Sequence, residues 1–340
     1  MENFRVRNST IDNPRLFLLP VSFGVSSVTL LHLLDRQLQG QIIRMNRAGY
    51  ELLVAHVDMP SAGPTGEYLK KLQERYPRYK YSTVDLAEIL DYPGSILDIL
   101  GESELSSAPS GLGCQVSNQD KLDHLLASLP SATSRTDILN ILRTRLLVEI
   151  AKERGCEGIL WGDSTTRLAE KTLAETAKGR GFALPWQLSD GASPHGLIFK
   201  YPLRDLLKKE LITFASLVDP PLNPFIGFGQ VSAAFNSKST TIDDLMTNYF
   251  ESVEESFPSI VANVVRTSSK LSANLPFGSG ERCGICEMPI AEGAGGLHGW
   301  GGDQDDETNP SDSNLRIVKR LCYGCARSTL GATASVRTGS

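Results

Sequence analysis

The sequence is poor in the features that mark membrane, secreted and highly basic proteins. It contains no unbroken run of about 20 apolar residues, which a membrane-spanning helix needs, so no membrane contact is expected. Residues 1–11 place Arg5 and Arg7 among polar side chains, without the apolar segment of a secretory signal. Cysteine is also scarce, with 6 residues in 340. In a chain without a signal, paired cysteines favour metal binding over disulfides, and we expect a cytoplasmic location.

An excess of positive charge is also missing, since the formal net charge is -5. The acids are concentrated in residues 281–313, which hold eight of them against one base, Arg282. That segment therefore carries -7, and the rest of the chain carries +2 (-5 minus -7). A nearly neutral body neither supports nor excludes nucleic-acid binding, so local clusters of arginine and lysine must decide that point.

Apolar runs alternate with helical patterns through the first two thirds of the chain. The run LFLLPVSF at 16–23 predicts a buried parallel strand, and leucines at helical spacing follow it. Further strands are predicted at 51–59, 80–84, 158–163 and 197–203, with helices between them. This alternation predicts an open α/β sheet.

The long amphipathic stretch that ends at Gly155 predicts a helix beginning at Thr136. Ser134 and Asp137 have the spacing of a capping box for that helix. Several prolines and glycines between 218 and 240 predict a linker, and a helical pattern follows from about 241 to 272. The resulting boundaries are an α/β domain at 1–217, a linker with a helical extension at 218–280, a cysteine-containing module at 281–330 and a tail at 331–340.

Two C-x-x-C pairs give the clearest chemical signal. Two cysteines on one tight knuckle can both reach one Zn²⁺, and two knuckles complete a tetrahedron, which predicts a structural zinc-ribbon-like site. The pairs are 35 residues apart, and the Gly- and Asp-rich insert between them has the composition of a disordered loop. The alternative is that these cysteines are buried or redox-active residues. The predicted ligands are Cys283, Cys286, Cys322 and Cys325.

A Gly- and Ser-containing turn, Ser22 to Ser27, joins the first strand to the first helix. Backbone N–H groups at such a turn can bind a phosphate, although many purely structural turns have the same composition. The turn resembles the S-G-G-x-D-S motif of PP-loop ATPases, with Phe23 in place of the second-position glycine and Ser26 in place of the aspartate.

The likeness extends along nearly the whole chain. The segments SRTDILNILRTRLLVEIAKERGC, GILWGDSTTRLAEKTLAETAKGRGF, YPLRDLLKKE and LCYGC, in this order, resemble the cytoplasmic tRNA 2-thiolation protein 2 family. The resemblance implies a PP-loop ATPase fold (adenine nucleotide alpha hydrolase-like) and a subunit that assists a catalytic PP-loop partner in thiolating the wobble uridine of tRNA. It implies sulfur delivered by a ubiquitin-related modifier. The family usually has a cysteine-containing stretch before the first strand, so this chain is expected to be truncated or to start internally.

The departures from the motif imply that this chain has no catalytic residues and that ATP binding is doubtful. Phe23 stands where glycine lets backbone approach pyrophosphate, and the acid at Ser26 is missing. The catalytic relatives also have a C-x-x-C in the region of Ser134 to Asp137, where this chain has no cysteine. The positions of a degenerate nucleotide site are Ser22, Gly24, Ser26, Ser27, Gly162 and Asp163.

Arginines and lysines near the loops form the candidate tRNA contact. Arginine guanidinium groups bind phosphate bidentately, although the same residues could simply form a solvated helix face. The candidates are Arg135, Arg143, Arg145, Arg167, Lys178 and Arg180. The two rival functions are an active ATP-dependent tRNA sulfurtransferase and a zinc-stabilised interaction protein that does not contact RNA.

Overall fold

The computed structural model describes residues 15–60, 65–100, 116–227, 240–272, 281–290 and 321–330. The insert predicted between the cysteine pairs (291–320), the predicted tail, the N-terminal start and Cys114 lie outside the described residues. None of the described helices is long and apolar enough to cross a lipid bilayer.

The described strands form a six-stranded sheet and a separate two-stranded ribbon. The sheet has the order β3-β2-β1-β4-β6-β5, and every pairing is parallel except β5 with β6. The ribbon pairs β7 with β8. The strands are β1 (Leu16–Pro20), β2 (Glu51–Asp58), β3 (Lys80–Asp85), β4 (Gly158–Leu160), β5 (Gly191–Ala192), β6 (Ile198–Lys200), β7 (Glu281–Arg282) and β8 (Pro289–Ile290).

The helices lie between the strands and after them. The α-helices are α1 (Val25–Met45), α2 (Gly66–Arg75), α3 (Ile96–Leu100), α4 (Asn118–Ser128), α5 (Ala132–Glu153), α6 (Thr165–Ala177), α7 (Leu184–Leu188), α8 (Lys208–Leu217), α9 (Ile242–Ser256), α10 (Pro258–Ser268) and α11 (Tyr323–Thr329). Short 3-10 helices span Leu86–Asp91, Gly181–Ala183 and Asn223–Phe225.

Both faces of the sheet are buried, which is why β1 is a continuous apolar run. Phe17 and Leu19 contribute to the core on the side of α1, α2 and α8, and Leu18 contributes to the core on the side of α5. Successive side chains of a strand point to opposite faces, so a strand covered on both sides needs apolar residues throughout. The predicted parallel α/β sheet is therefore confirmed.

The two strands that pair with β1 determine where a ligand site can form. From β1 the chain continues to β2 on one side, and later returns to β4 on the other side. In open α/β sheets, ligands bind beyond the carboxyl ends of the strands where the strand order reverses in this way. The turn after β1 and the turn after β4 both lie at this point.

The start of α5 differs from the prediction. The helix begins at Ala132, and the hydroxyl of Ser131 accepts a hydrogen bond from the Ser134 N–H at 3.0 Å. Ser134 and Asp137 are inside the helix and buried, so the predicted capping box was wrong. The reason is that an earlier serine has the same capping chemistry, and Asp137 has a buried ionic partner instead.

The predicted helical stretch after the linker is two helices. Pro258 stands at the first position of α10, where its fixed φ is tolerated, and α9 ends just before it. Both helices pack against α6. The Glu254 carboxylate accepts a hydrogen bond from Thr166 Oγ1 at 2.6 Å, so a polar contact also connects α9 to the start of α6.

We predict that Gly158→Ala destabilises the fold by about 1–3 kcal/mol, the usual cost of overpacking. A methyl group at position 158 would overlap the backbone carbonyl of Ile198 on the paired strand β6, and backbone cannot move aside cheaply. The measurement is the free energy of unfolding in urea.

Gly40→Ala is the matched control for this change. Nothing lies within 4 Å of a methyl group at position 40 inside α1, so this variant should gain up to about 1 kcal/mol from helix propensity. Equal effects of the two substitutions would contradict the packing described for β4 and β6.

Candidate functional site

The turn after β1 is closed by the side chain of Phe23. Phe23 has a φ of 56°, a left-handed conformation that favours glycine, and it is 3% exposed. Its ring packs against His56, with 4.6 Å between centroids, and against Tyr68. The backbone therefore retains a glycine-like conformation, but an aromatic ring occupies the space beside it.

Three other backbone groups of this turn are bonded within the protein. Ser27 Oγ donates to the Gly24 carbonyl at 3.0 Å and lies 3.4 Å from the Ser22 N–H, for which it is the acceptor. The Phe23 carbonyl accepts from the Gly227 N–H at 2.9 Å, so the segment before the linker lies over the turn. This segment and the Phe23 ring occupy space that a phosphate over the turn would need.

The turn after β4 lies directly against the first turn. A methyl group at Gly162 would stand 3.0 Å from Ser27 Cα, so glycine favours this close approach. Ser164 then caps α6, and Thr165 Oγ1 donates to the Arg204 carbonyl at 2.7 Å. Asp163 is half-buried and lies 4.0 Å from the Lys171 ammonium. The structure thus brings together the two segments predicted to form the degenerate nucleotide site.

The four predicted metal ligands converge into one buried cluster. One sulfur from each of Cys283, Cys286, Cys322 and Cys325 lies within 4.8 Å of all the others. All four residues are at most 7% exposed, and none forms a disulfide.

The spacing of the sulfurs fits a single tetrahedral ion. Metal–sulfur bonds of about 2.3 Å place tetrahedral ligands about 3.8 Å apart, and Cys286 Sγ lies 3.8 Å from Cys322 Sγ. The Cys322 N–H donates to Cys283 Sγ at 3.3 Å, a contact that favours a thiolate. A cluster of several metal atoms would separate its ligand sulfurs further. The donor set therefore suits one thiophilic ion such as zinc.

Arg145 attaches the first cysteine knuckle to α5. One of its terminal nitrogens lies 3.3 Å from the carbonyls of Gly284 and Ile285, and the other lies 2.9 Å from a Glu287 carboxylate oxygen. Glu287 also contacts His195 Nδ1 at 3.0 Å. Hydrogen bonds from a guanidinium to two carbonyls of the knuckle fix its position on the helix.

Arg180 and Asp137 form the surface on which the second knuckle packs. Its guanidinium forms two hydrogen bonds with the Asp137 carboxylate, and its Nε donates to Glu175 at 2.7 Å. Ser328, in α11, donates to Asp137 at 2.8 Å. Gly324 packs so closely that a methyl group there would be 2.7 Å from Arg180 Cγ. The helix that carries Cys325 is thus fitted against this ion cluster.

The ion cluster contains a second cation, Lys178, and a third acid, Asp243. Lys178 lies 2.8 Å from Glu175, 3.1 Å from Asp137 and 3.2 Å from Asp243. Burial would lower the pKa of Arg180, but Glu175 and Asp137 reverse this and raise it well above its ordinary value. Arg180 therefore remains charged inside the protein.

Three of the six predicted tRNA-binding residues are buried rather than on the surface. Arg145, Lys178 and Arg180 are 5%, 7% and 1% exposed and are paired with acids of this chain. The expectation that they form an exposed basic face was wrong, because acids and carbonyls distant in sequence enclose them. Of the three, Arg145 hydrogen-bonds the first cysteine knuckle and Arg180 packs against Gly324 of the second.

The other three candidates remain accessible. Arg135 and Arg167 are exposed, and Arg143 is half-buried. Arg135 donates to the Leu129 carbonyl at 3.3 Å, and Arg167 pairs with Glu170 at 2.8 Å. Arg143 and Arg167 line a cavity of about 120 Å³ between α5, α6 and the carboxyl ends of β4 and β6.

Several residues that matter here were not predicted from the sequence to be part of a site. They are Asp137, Glu175 and Glu287, the acids that hold the buried arginines, and His195, which contacts Glu287. Gly179, beside Arg180, serves close packing, since a methyl group there would overlap the Tyr323 ring next to Cys322.

Comparisons with known proteins agree with these features. The sequence profile of cytoplasmic tRNA 2-thiolation protein 2 matches residues 241–327. The chain is 50% identical over 335 residues to the cytoplasmic tRNA 2-thiolation protein 2 of Phaeosphaeria nodorum, a match that covers 96% of this chain and 85% of the relative. The protein belongs to the cytoplasmic tRNA 2-thiolation protein 2 family. The cytoplasmic location expected from the sequence agrees with the name of that family.

A second relative and a solved structure extend the comparison. The family member of Pyrenophora tritici-repentis is 46% identical, with 98% of this chain and 87% of that protein covered. The U34-tRNA thiolase NcsA from Methanococcus maripaludis, solved with its 4Fe-4S cluster, is 16% identical. It superposes with a TM-score of 0.52 over 85% of this chain and 83% of that one, which confirms the predicted PP-loop ATPase-like fold.

We predict that ATP does not bind measurably to this family member alone. Phe23 fills the space beside the turn, the Ser22 N–H already has an acceptor, and Gly227 lies against the Phe23 carbonyl. Isothermal calorimetry with Mg-ATP should show no saturable heat. A dissociation constant in the micromolar range for the unaltered chain would contradict the closed turn.

Proposed function

We propose that this chain is a non-catalytic subunit of a cytosolic tRNA thiolation complex. In this proposal it binds tRNA together with a catalytic PP-loop partner as a heterodimer, and sulfur reaches the complex on a thiocarboxylated ubiquitin-related modifier. A role in tRNA 2-thiolation follows from family membership. The division of labour between the two subunits is the proposal.

The single observation that carries the non-catalytic role is the closed turn after β1. A nucleotide-activating subunit needs backbone N–H groups that approach phosphate closely. Here Phe23 keeps a left-handed backbone and places an aromatic ring among His56 and Tyr68. The turn after β4 still packs on it through Gly162. The fold of a nucleotide site is thus present without the open space that nucleotide requires.

The metal in this proposal is structural zinc. Four buried cysteine sulfurs leave no ligand position for water or substrate, which is the arrangement of structural rather than catalytic zinc. The two knuckles come from segments far apart in sequence and meet on α5 and on the end of α6. Zinc would therefore fix the C-terminal segments on the α/β body, and no catalytic step is assigned to it.

The RNA contact in this proposal uses only the accessible part of the predicted basic set. Arg135 and Arg143 lie on α5, and Arg167 lies on α6. Arg145, Lys178 and Arg180 are excluded because their charges are neutralised inside the protein. An RNA that lies along these two helices would pass the mouth of the cavity between them.

The proposed division of labour is tested by reconstitution with the partner. The catalytic PP-loop subunit, tRNA and sulfur donor are combined with and without this chain, and thiolated uridine is measured by mass spectrometry. We expect thiolation only when both subunits are present. Equal thiolation by the partner alone would overturn the proposal, and thiolation by this chain alone would favour the active sulfurtransferase.

We predict that Cys286→Ser loses zinc and unfolds the C-terminal module, whereas the unaltered protein carries about one zinc per chain. Structural zinc sites contribute roughly 10–16 kcal/mol of apparent binding energy, so loss of one ligand is not tolerated. Cys156→Ser is the control, because Cys156 is buried beside β4 and is not one of the clustered ligands. Elemental analysis that finds the same zinc content in both variants would refute the assignment.

We predict that Arg135→Gln combined with Arg167→Gln weakens binding of tRNA by the complex and flattens its salt dependence. Each phosphate that the protein no longer neutralises reduces the slope of log affinity against log salt by about 0.7–0.9. Lys208→Gln is a control on another surface, where the lysine pairs with Glu251. Unchanged affinity and slope in the double variant would remove α5 and α6 from the RNA contact.

A further inference from the structure

The cavity between α5, α6 and the ends of β4 and β6 collects buried polar atoms that have no partner. Seven such side-chain atoms occur among the described residues, and four of them belong to residues that line this one cavity. They are Arg145 Nε, Trp161 Nε1, Gln187 Oε1 and His195 Nε2. A buried polar group without a partner costs about 1–3 kcal/mol, so their concentration in one place indicates an occupant that satisfies at least the donors among them.

At least two of these atoms can only donate hydrogen bonds. Arg145 Nε and the Trp161 indole Nε1 both carry a hydrogen and offer no lone pair. Arg145 is 5% exposed, and its terminal nitrogens already contact carbonyls of the cysteine module, which fixes the direction of its Nε. The cavity therefore presents fixed donors to whatever occupies it.

Cations without closely matched acids line the same cavity. Arg143 has no hydrogen bond or ion pair with any described residue, and Lys171 lies 4.0 Å from the Asp163 carboxylate, the limit for an ion pair. Burial lowers the pKa of Lys171, Asp163 and Glu175 oppose this effect, and Arg167 and Arg143 lower the pKa further. Burial lowers the pKa of Arg143 too, Arg167 adds to that effect, and Asp163 opposes it. The net effect disfavours the charge of both Lys171 and Arg143, and a bound anion would favour it.

The size and walls of the cavity limit what can enter. One water needs about 10–15 Å³ of such space, so a cavity of about 120 Å³ can hold a group of several heavy atoms. Trp161 and Phe199 stack edge-to-face on one side, with ring centroids 5.4 Å apart. The Lys171 ammonium lies 6.0 Å from the centre of the Trp161 ring. The polar donors and cations thus face an aromatic wall.

We propose that this cavity is an oxyanion site that binds a phosphate group, held by Arg143, Lys171 and the Trp161 indole N–H. Arginine and lysine supply charge, and the indole supplies a directed donor. The site is separate from the closed turn after β1 and does not require nucleotide binding there. A free small-molecule phosphate and a phosphate of an RNA backbone present the same chemistry to these residues. The inference goes beyond the role in tRNA thiolation and does not depend on it.

Binding of inorganic phosphate to the full chain tests the site. Calorimetry in a chloride buffer should show saturable binding, and Trp161→Phe, Arg143→Gln and Lys171→Gln should each weaken it about tenfold, which corresponds to about 1.4 kcal/mol. Arg154→Gln is the matched control, because this exposed arginine caps the end of the same helix outside the cavity and should leave phosphate affinity unchanged. No saturable phosphate binding, or equal binding by all variants, would overturn the proposal.

The melting temperature of the phosphate-free protein is a second measurement. If Arg143 only stabilised the fold, its replacement would lower that temperature. Arg143 has no hydrogen bond or ion pair with a described residue, and burial together with Arg167 outweighs the attraction of Asp163, so Arg143→Gln should raise the melting temperature while it weakens phosphate binding. A lower melting temperature for Arg143→Gln in phosphate-free buffer would contradict an anion site. This measurement also shows directly whether the variant folds.

Competition separates the two sources of phosphate. If RNA displaces inorganic phosphate and Arg143→Gln weakens RNA binding by a similar factor, the cavity holds a phosphate of the RNA. If phosphate binds and RNA does not compete, the ligand is a small molecule. Either outcome supports the oxyanion site, whereas RNA binding that depends on Arg143 without any phosphate binding would contradict it.

Discussion

The paired charges of Asp137 and Arg180 are the contact on which the rest of this structure depends. Both side chains are 1% exposed, and each is tied to a different part of the chain. The Asp137 carboxylate accepts a hydrogen bond from Ser328 of the second cysteine knuckle. Arg180 Nε also donates a hydrogen bond to Glu175. Removing one partner of such a buried pair costs about 3–5 kcal/mol, because the other charge is left uncompensated. The ion pair therefore fixes the part of the α/β body on which the cysteine module docks, and the module reaches it through Ser328 and Gly324.

This contact explains why a chain can have basic residues beside a closed nucleotide turn. Arg145 and Arg180 bind carbonyls and carboxylates of the protein, so their positive charge serves assembly of the two parts. Accessible positive charge is left at Arg135, Arg143 and Arg167. The turn after β1 is filled by Phe23, while the cavity beside Trp161 stays open. At the same end of the sheet, the first site is thus filled by a side chain and the adjacent one is open.

Local signals in the sequence predicted the sheet, the turn after β1 and the four clustered cysteines. These features depend on residues close together in the chain, such as the apolar run of β1 or two cysteines on one knuckle. The burial of Arg180 could not be predicted, because it depends on Asp137, 43 residues away. The predicted cap of α5 failed for a related reason, since Ser131 and Ser134 offer the same chemistry. The burial of Asp137 decides which of the two serines caps the helix.

Hydrogen exchange in an Asp137→Asn variant tests the central claim most directly. The variant keeps the shape of the side chain but removes the charge that Arg180 and Lys178 share. With zinc saturating, residues 321–330 should exchange their amide hydrogens faster than in the unaltered protein. Asp243→Asn, which alters a contact with Lys178 alone, should leave them protected. Unchanged protection of residues 321–330 in Asp137→Asn would contradict the docking role of this ion pair.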